Sequence, residues 1–201
     1  MKKKYLTTLN TRPFLYQETR MITELMDQGL TDEDIKEKVL EENIFQLSSD
    51  DRKQSFLGEI KRRLNYLDEF LLRNFITSDS QTSKIILLYA ILKKDRLFYE
   101  WMREVVLDKW LTLDYEISKK DTEYFFEKKI EQNDTVAKWK KETRARLVNS
   151  YHQTLADANY ASIVNHKIIL HRPVISSNVE NYLANNKDKY IVEVLLGEVI
   201  Q

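Results

Sequence analysis

The sequence predicts an all-α protein built as two packed helical bundles. Three observations carry that expectation. The 201 residues hold only three glycines and two prolines, where average usage would give roughly 24. Apolar side chains recur at helical spacing through most of the chain. Capping residues stand where those periodic stretches begin and end. Few positions can adopt left-handed or fixed φ, so loops must be short, and strand-rich folds and glycine-built phosphate loops are disfavoured.

Thr11-Arg12-Pro13 is expected to open the first helix, because Pro13 suits a first turn whose N–H groups lack partners. Leu15, Ile22, Leu25 and Met26 form its apolar face, and Gly29 ends it. Thr31 caps a second, short helix, with Asp32, Glu33 and Asp34 where the dipole favours anions. Ile35, Val39 and Leu40 face inward, giving a helix–turn–helix hairpin across Gly29-Leu30. Ser48-Ser49-Asp50 starts a long helix with Phe56, Ile60, Leu64, Leu67, Leu71 and Phe75 on one stripe and Arg62, Glu69 and Arg73 on the other side. Residues 78–82 break it. Ile85 to Leu92 is apolar on every face and reads as a buried central helix. Lys93-Lys94-Asp95-Arg96 interrupts it, and Leu97, Phe98, Trp101, Met102 and Val105 continue a helical face.

Leu113 to Ile117 alternates like a short strand or linker. The division into an N-terminal bundle, 1–112, and a C-terminal bundle, 113–201, falls there. Ser118 and Asp121 start a helix through Tyr124, Phe125 and Ile130. Asn133-Asp134 caps a long one with Val136, Trp139, Thr143, Leu147, Tyr151 and Leu155 on its stripe. The β-branched stretch from Ile163 to Ile175 allows at most a short β-hairpin or extended arm near 163–175. Ser177 and Glu180 have capping-box spacing before one or two short helices that stop near Gly197.

Little in the sequence points to chemistry. With no cysteine, disulfides, thiolate metal sites and a cysteine nucleophile are excluded. His152 lacks a second ligand at helical spacing. His166 and His171 lie an odd number of residues apart across a probable strand, on opposite faces. The acidic runs Asp32-Glu33-Asp34, Glu41-Glu42 and Asp50-Asp51 are explained by helix ends. No metal, cofactor or catalytic residue is expected, and the chain reads as a binding protein rather than an enzyme. The N-terminus has the basic start of a signal peptide without its apolar stretch. The longest apolar run, Ile85 to Leu92, falls far short of the about 20 residues of a membrane span. A cytoplasmic, non-membrane protein is expected.

Thirty-two basic residues balance thirty-two acidic ones, so nucleic-acid binding would need a local patch. Two clusters could supply it. Lys138, Lys140, Lys141, Arg144 and Arg146 crowd the helix expected from Asp134, with Glu142 alone among them and Trp139 and Tyr151 interleaved. Lys61, Arg62 and Arg63 lie on the third helix. Both suit a phosphate-contacting surface, and both equally suit solvated helix faces. As a major-groove reader the Gly29 hairpin is disfavoured, since its second helix is acidic at the turn where base contacts would fall.

Several segments together carry a resemblance. They are residues 9–15 (Leu-Asn-Thr-Arg-Pro-Phe-Leu), 41–47 (Glu-Glu-Asn-Ile-Phe-Gln-Leu), 88–98 (Leu-Tyr-Ala-Ile-Leu-Lys-Lys-Asp-Arg-Leu-Phe), 136–139 (Val-Ala-Lys-Trp) and 172–175 (Arg-Pro-Val-Ile). In order and spacing the chain resembles the BrxA family of BREX (bacteriophage exclusion) systems. The resemblance implies an all-helical, NusB-like fold. It also implies a non-enzymatic accessory component of phage defence, with double-stranded DNA and other BREX subunits as partners. A protein–protein adaptor, or an RNA-binding factor like NusB, is the alternative it leaves. It supplies no binding motif, so the candidate contact residues come from charge alone.

Overall fold

The computed structural model describes residues 4–185 and 188–199. Helices dominate it, and a small three-stranded antiparallel sheet is its only other regular element among the described residues. A single 3₁₀ turn, Thr8–Asn10, precedes α1 (Tyr16–Asp27) and α2 (Asp32–Leu40). Pro13 does not open α1. The helix starts after Leu15, which sits at φ 56°. Phe14 and Leu15 are pulled into the core, and the buried Arg63 takes the carbonyls of Arg12 and Phe14. Tertiary contacts therefore override the local start signal. Gly29 ends α1 at φ 84°, and Thr31 and Asp34 form a reciprocal capping box on α2.

The long third helix is two. After α3 (Asp50–Leu64), Tyr66 and Leu67 turn back on the carbonyls of Arg63 and Leu64. Asp68 then caps α4 (Glu69–Thr77), accepting from the Leu71 N–H at 3.0 Å. The apolar stripe continues through the bend, since Leu64, Leu67 and Leu71 are all buried. Asp79 caps α5 (Ser80–Lys94), and Ile85 to Leu92 are buried throughout, as their pattern requires. Asp95 ends α5 and caps α6 (Arg96–Trp101). A π-turn, Met102–Val106, leads into α7 (Leu107–Leu111).

The alternating stretch becomes β1 (Glu116–Ile117). It pairs with β3 (Lys167–Leu170), whose other neighbour is β2 (Ala161–Val164). The β2–β3 hairpin turns at Asn165 and His166, both at positive φ, as a two-residue primed turn demands. His166 therefore sits in the turn and not beside the strand. The hairpin begins two residues before the expected arm because Ala161, Ile168 and Leu170 turn inward. Arg172 to Ile175 follow it without strand pairing.

Ser118 and Asp121 form the capping box of α8 (Lys119–Gln132). The expected long helix from Asp134 is broken into α9 (Asp134–Ala137) and α10 (Lys141–Asp157), with Lys140 extended between them. At the C-terminus, α11 (Ser177–Ala184) forms without the expected Ser177–Glu180 box. Ser176 is its N-cap, and the Ser176 N–H bonds the Thr82 hydroxyl at 3.0 Å instead. α12 (Lys189–Leu196) stops at Gly197, φ 70°. The core is one apolar cluster running from Leu9 to Leu195. Tyr151 of α10 packs on Phe98 and Trp101 of α6, with ring centroids 4.9 and 5.2 Å away. Among the described residues no helix is long and apolar enough to cross a membrane.

Candidate nucleic-acid interface

The break between α9 and α10 shapes the basic surface. Asn133 caps α9 by accepting from the N–H groups of Thr135 and Val136. The chain then turns through Lys138, Trp139 and Lys140, and the Arg144 guanidinium, one turn into α10, donates to the Trp139 carbonyl. Lys138, Lys140, Lys141 and Arg146 are exposed, and Arg144 is half-buried. None of the five forms an ion pair among the described residues. Three of them stand on or beside the turn, so Lys138 does not share one continuous helix with Lys141, Arg144 and Arg146.

The two flanks of α10 differ. Against α8 lies a groove of about 380 Å³, floored by Phe126, Ile130 and Val148, where Glu123 and Glu127 stand with Lys141 and Arg144. On the other flank, against the N-terminal segment, lies a groove of about 430 Å³. Its lining includes Thr8, Thr11, Arg12, Trp139, Thr143 and Arg146 and holds no carboxylate. Asn10 ties this segment to α10, donating to the Thr143 carbonyl at 3.1 Å and accepting from the Ser150 hydroxyl at 3.3 Å.

The second cluster does not assemble into one surface. Lys61 pairs with Asp32 at 2.7 Å. Arg62 remains exposed and lies 3.4 Å from Glu59. Arg63 is 1% exposed. Its Nε donates to Glu59 at 3.0 Å, and its two terminal nitrogens donate to the carbonyls of Phe14 and Arg12, each at 2.8 Å. Lys94 also meets Glu59, at 3.0 Å. Burial lowers the Arg63 pKa, against the pull of the Glu59 charge. Arg63 is committed inside the fold, and its sequence signal was Glu59 four residues earlier, the spacing of a helical ion pair.

Arg12 is the functional candidate that sequence reasoning missed, because it stands in a stretch read as a helix start. Its Nε donates to Ser55 at 2.7 Å and one terminal nitrogen to Thr11 at 3.0 Å. A second network lies beside it. Burial pushes the Glu100 carboxyl up, but hydrogen bonds from Lys129, Tyr5 and Arg96 outweigh this and hold it below the usual range. Tyr5 donates to Glu100 at 2.8 Å, anchoring the N-terminal segment.

His152 and His171 each sit beside a hydroxyl group. His152 is buried 2.8 Å from the Thr122 hydroxyl, which also receives the Trp101 indole N–H. Burial pushes its pKa down to about 4. His171 lies 2.9 Å from Ser162. Among the described residues no three His, Asp or Glu side chains gather as a metal would need.

The family model described as BrxA matches residues 3–187. The chain belongs to the BrxA family. A BREX protein BrxA of Bacillus cereus (strain H3081.97) is 32% identical over 194 residues, 96% of this chain and 97% of that protein. A BREX protein BrxA of Escherichia coli O9:H4 (strain HS) is 22% identical over 158 residues, 79% of this chain and 74% of that protein. The crystal structure of an uncharacterized protein from Magnetospirillum magneticum has the same fold. It superposes with a TM-score of 0.81 at 19% identity, covering 98% of this chain and all of that one.

Proposed function

We propose that this BrxA-family chain is a non-enzymatic accessory component of a BREX phage-defence system in the cytoplasm and binds double-stranded DNA through the basic surface at the α9–α10 turn. The observation that carries this reading is the contrast in cation pairing. Lys61, Arg63, Lys94 and Lys129 each meet a carboxylate, Arg63 and Lys94 sharing Glu59, while Lys138, Lys140, Lys141, Arg144 and Arg146 meet none among the described residues. Unpaired cations close together are what phosphate neutralisation and counterion release need. Arg62 is a further candidate phosphate contact. Lys61 contributes only by leaving Asp32, and Arg63 contributes through the fold. A gel-shift titration with duplex DNA tests the reading. Affinity should fall steeply with salt and weaken with Lys138→Glu and Lys141→Glu. Equal affinity for duplex RNA would shift the assignment to RNA.

The α8 flank favours a second reading, a protein–protein adaptor among BREX subunits. Glu123 and Glu127 beside Lys141 and Arg144 over an apolar floor suit a protein partner better than a phosphate chain. Co-purification of other BREX subunits separates the two readings. It should survive Lys138→Glu if DNA is the ligand there, and should fail with Glu123→Lys and Glu127→Lys if that flank docks protein.

A further inference from the structure

The carboxylate-free groove between the N-terminal segment and α10 has the features of a ligand seat. Its volume of about 430 Å³ lies within the ordinary range for small-ligand sites. Arg12 and Arg146 line it, together with Thr8, Thr11 and Thr143. The Arg12 fork is held by Ser55 and Thr11, and its remaining terminal nitrogen makes no hydrogen bond among the described residues. A cation fixed in this way loses little entropy on binding an anion.

Trp139 adds a second, independent observation. The indole N–H groups of Trp101 and Trp110 are bonded internally, to Thr122 and Tyr160. The Trp139 N–H has no partner among the described residues, and its half-buried ring lines the groove. An aromatic face beside a fixed guanidinium group is the combination that takes a base and its phosphate together.

We infer that this groove seats a phosphate-bearing nucleotide unit, with Arg12 and Arg146 on the phosphate and the Trp139 ring against the base. The inference rests on the nucleic-acid reading only for its choice of ligand; the geometry of the groove stands by itself. A nucleotide of the DNA chain and a free nucleotide share this chemistry, so both are probes.

The test uses the full chain labelled with ¹⁵N and follows the three tryptophan indole signals. Trp139→Phe identifies the Trp139 signal by its disappearance. Titration with deoxythymidine 5′-monophosphate should move the Trp139 signal and leave the internally bonded Trp101 and Trp110 signals in place. Inorganic phosphate should compete. Arg146→Ala should weaken the response about tenfold, as loss of one charge-assisted hydrogen bond would. Thr143→Glu, which places a carboxylate in the groove, should abolish it, and Thr143→Val serves as the milder variant if melting shows the glutamate chain misfolded.

An unmoved Trp139 signal at saturating mononucleotide overturns the inference, as does a response that survives both Thr143→Glu and Arg146→Ala. Failure of the duplex reading looks different. There the mononucleotide response persists while duplex DNA neither shifts in a gel nor moves the Trp139 signal, which assigns the seat to free nucleotide. Duplex binding with Trp139 silent to both duplex and mononucleotide rejects the seat and keeps the duplex reading.

Discussion

Arg63 and Arg146 carry the same guanidinium, yet the fold uses them in opposite ways. Arg63 is buried with every side-chain nitrogen bonded, to Glu59 and to two backbone carbonyls. Arg146 is exposed, with no ion pair among the described residues. A buried charge is tolerated only when paired and hydrogen-bonded, so removing one partner is costly. An exposed, unpaired charge adds little to stability and remains free to meet an external anion. Charge count along the sequence does not separate the two; burial does.

The largest expected effect comes from breaking the buried side. Arg63→Met should cost about 3 kcal/mol or more of unfolding free energy, read as a lower urea midpoint. It orphans Glu59 in part and releases the carbonyls of Arg12 and Phe14. A midpoint within error of the parent would show that Lys94 and Arg62 suffice for Glu59. Gly197→Ala should follow at about 2 kcal/mol. Its Cβ would lie 2.7 Å from the Trp110 ring, and its φ of 70° disfavours a side chain. An unchanged melting temperature would contradict this packing.

Buried ionisable groups give a pH test of the same contrast. Asp95 accepts from the N–H groups of Leu97 and Phe98, both at 3.1 Å, while its second oxygen has no hydrogen-bond partner among the described residues. Burial raises its pKa from 3.8 to about 6. The folded state therefore holds this proton more tightly than the unfolded state. The stabilising contribution is full at low pH and is lost as pH rises through about 6. His152 works in the other sense. Its folded-state pKa of about 4 lies below 6.5, so its contribution is present above 6.5 and is lost as pH falls towards 4. Asp95→Asn keeps a capping side chain. It should leave stability rising steadily from pH 4 to pH 6.5, where the parent curve is flatter. Parallel curves would contradict the burial of Asp95. The smallest stability effect belongs to the exposed side. Lys138→Glu and Lys141→Glu should each stay within about 0.5 kcal/mol in the same denaturation experiment, and a larger loss would mean those lysines serve the fold.

Much of the helical pattern was legible because caps and periodicity are local. Thr31, Ser49, Asp79, Ser118 and Asn133 all cap helices that the sequence announces. The failures were places where distant groups intervene. The bend at Asn65 to Asp68 leaves the apolar spacing intact, so periodicity passes through it unseen. Pro13 offers a good first turn, but Arg63 claims the carbonyls on either side of it. The gap between α9 and α10 is spanned by Arg144 reaching the Trp139 carbonyl. The candidate surface was half visible. The basic run at 138–146 could be read directly, whereas Arg12 joins it only through the fold, and the internal role of Arg63 is apparent only from its burial.

The central claim is that the unpaired cations at the α9–α10 turn bind nucleic acid while the paired ones hold the fold. Salt dependence of duplex-DNA affinity tests it most directly. The slope of log K against log salt should be about −0.9 for each phosphate neutralised. The triple variant Lys138→Glu, Lys140→Glu, Lys141→Glu should flatten that slope by about 3 units and remain folded. A slope unchanged in the triple variant would contradict the account and place any DNA contact elsewhere on the molecule.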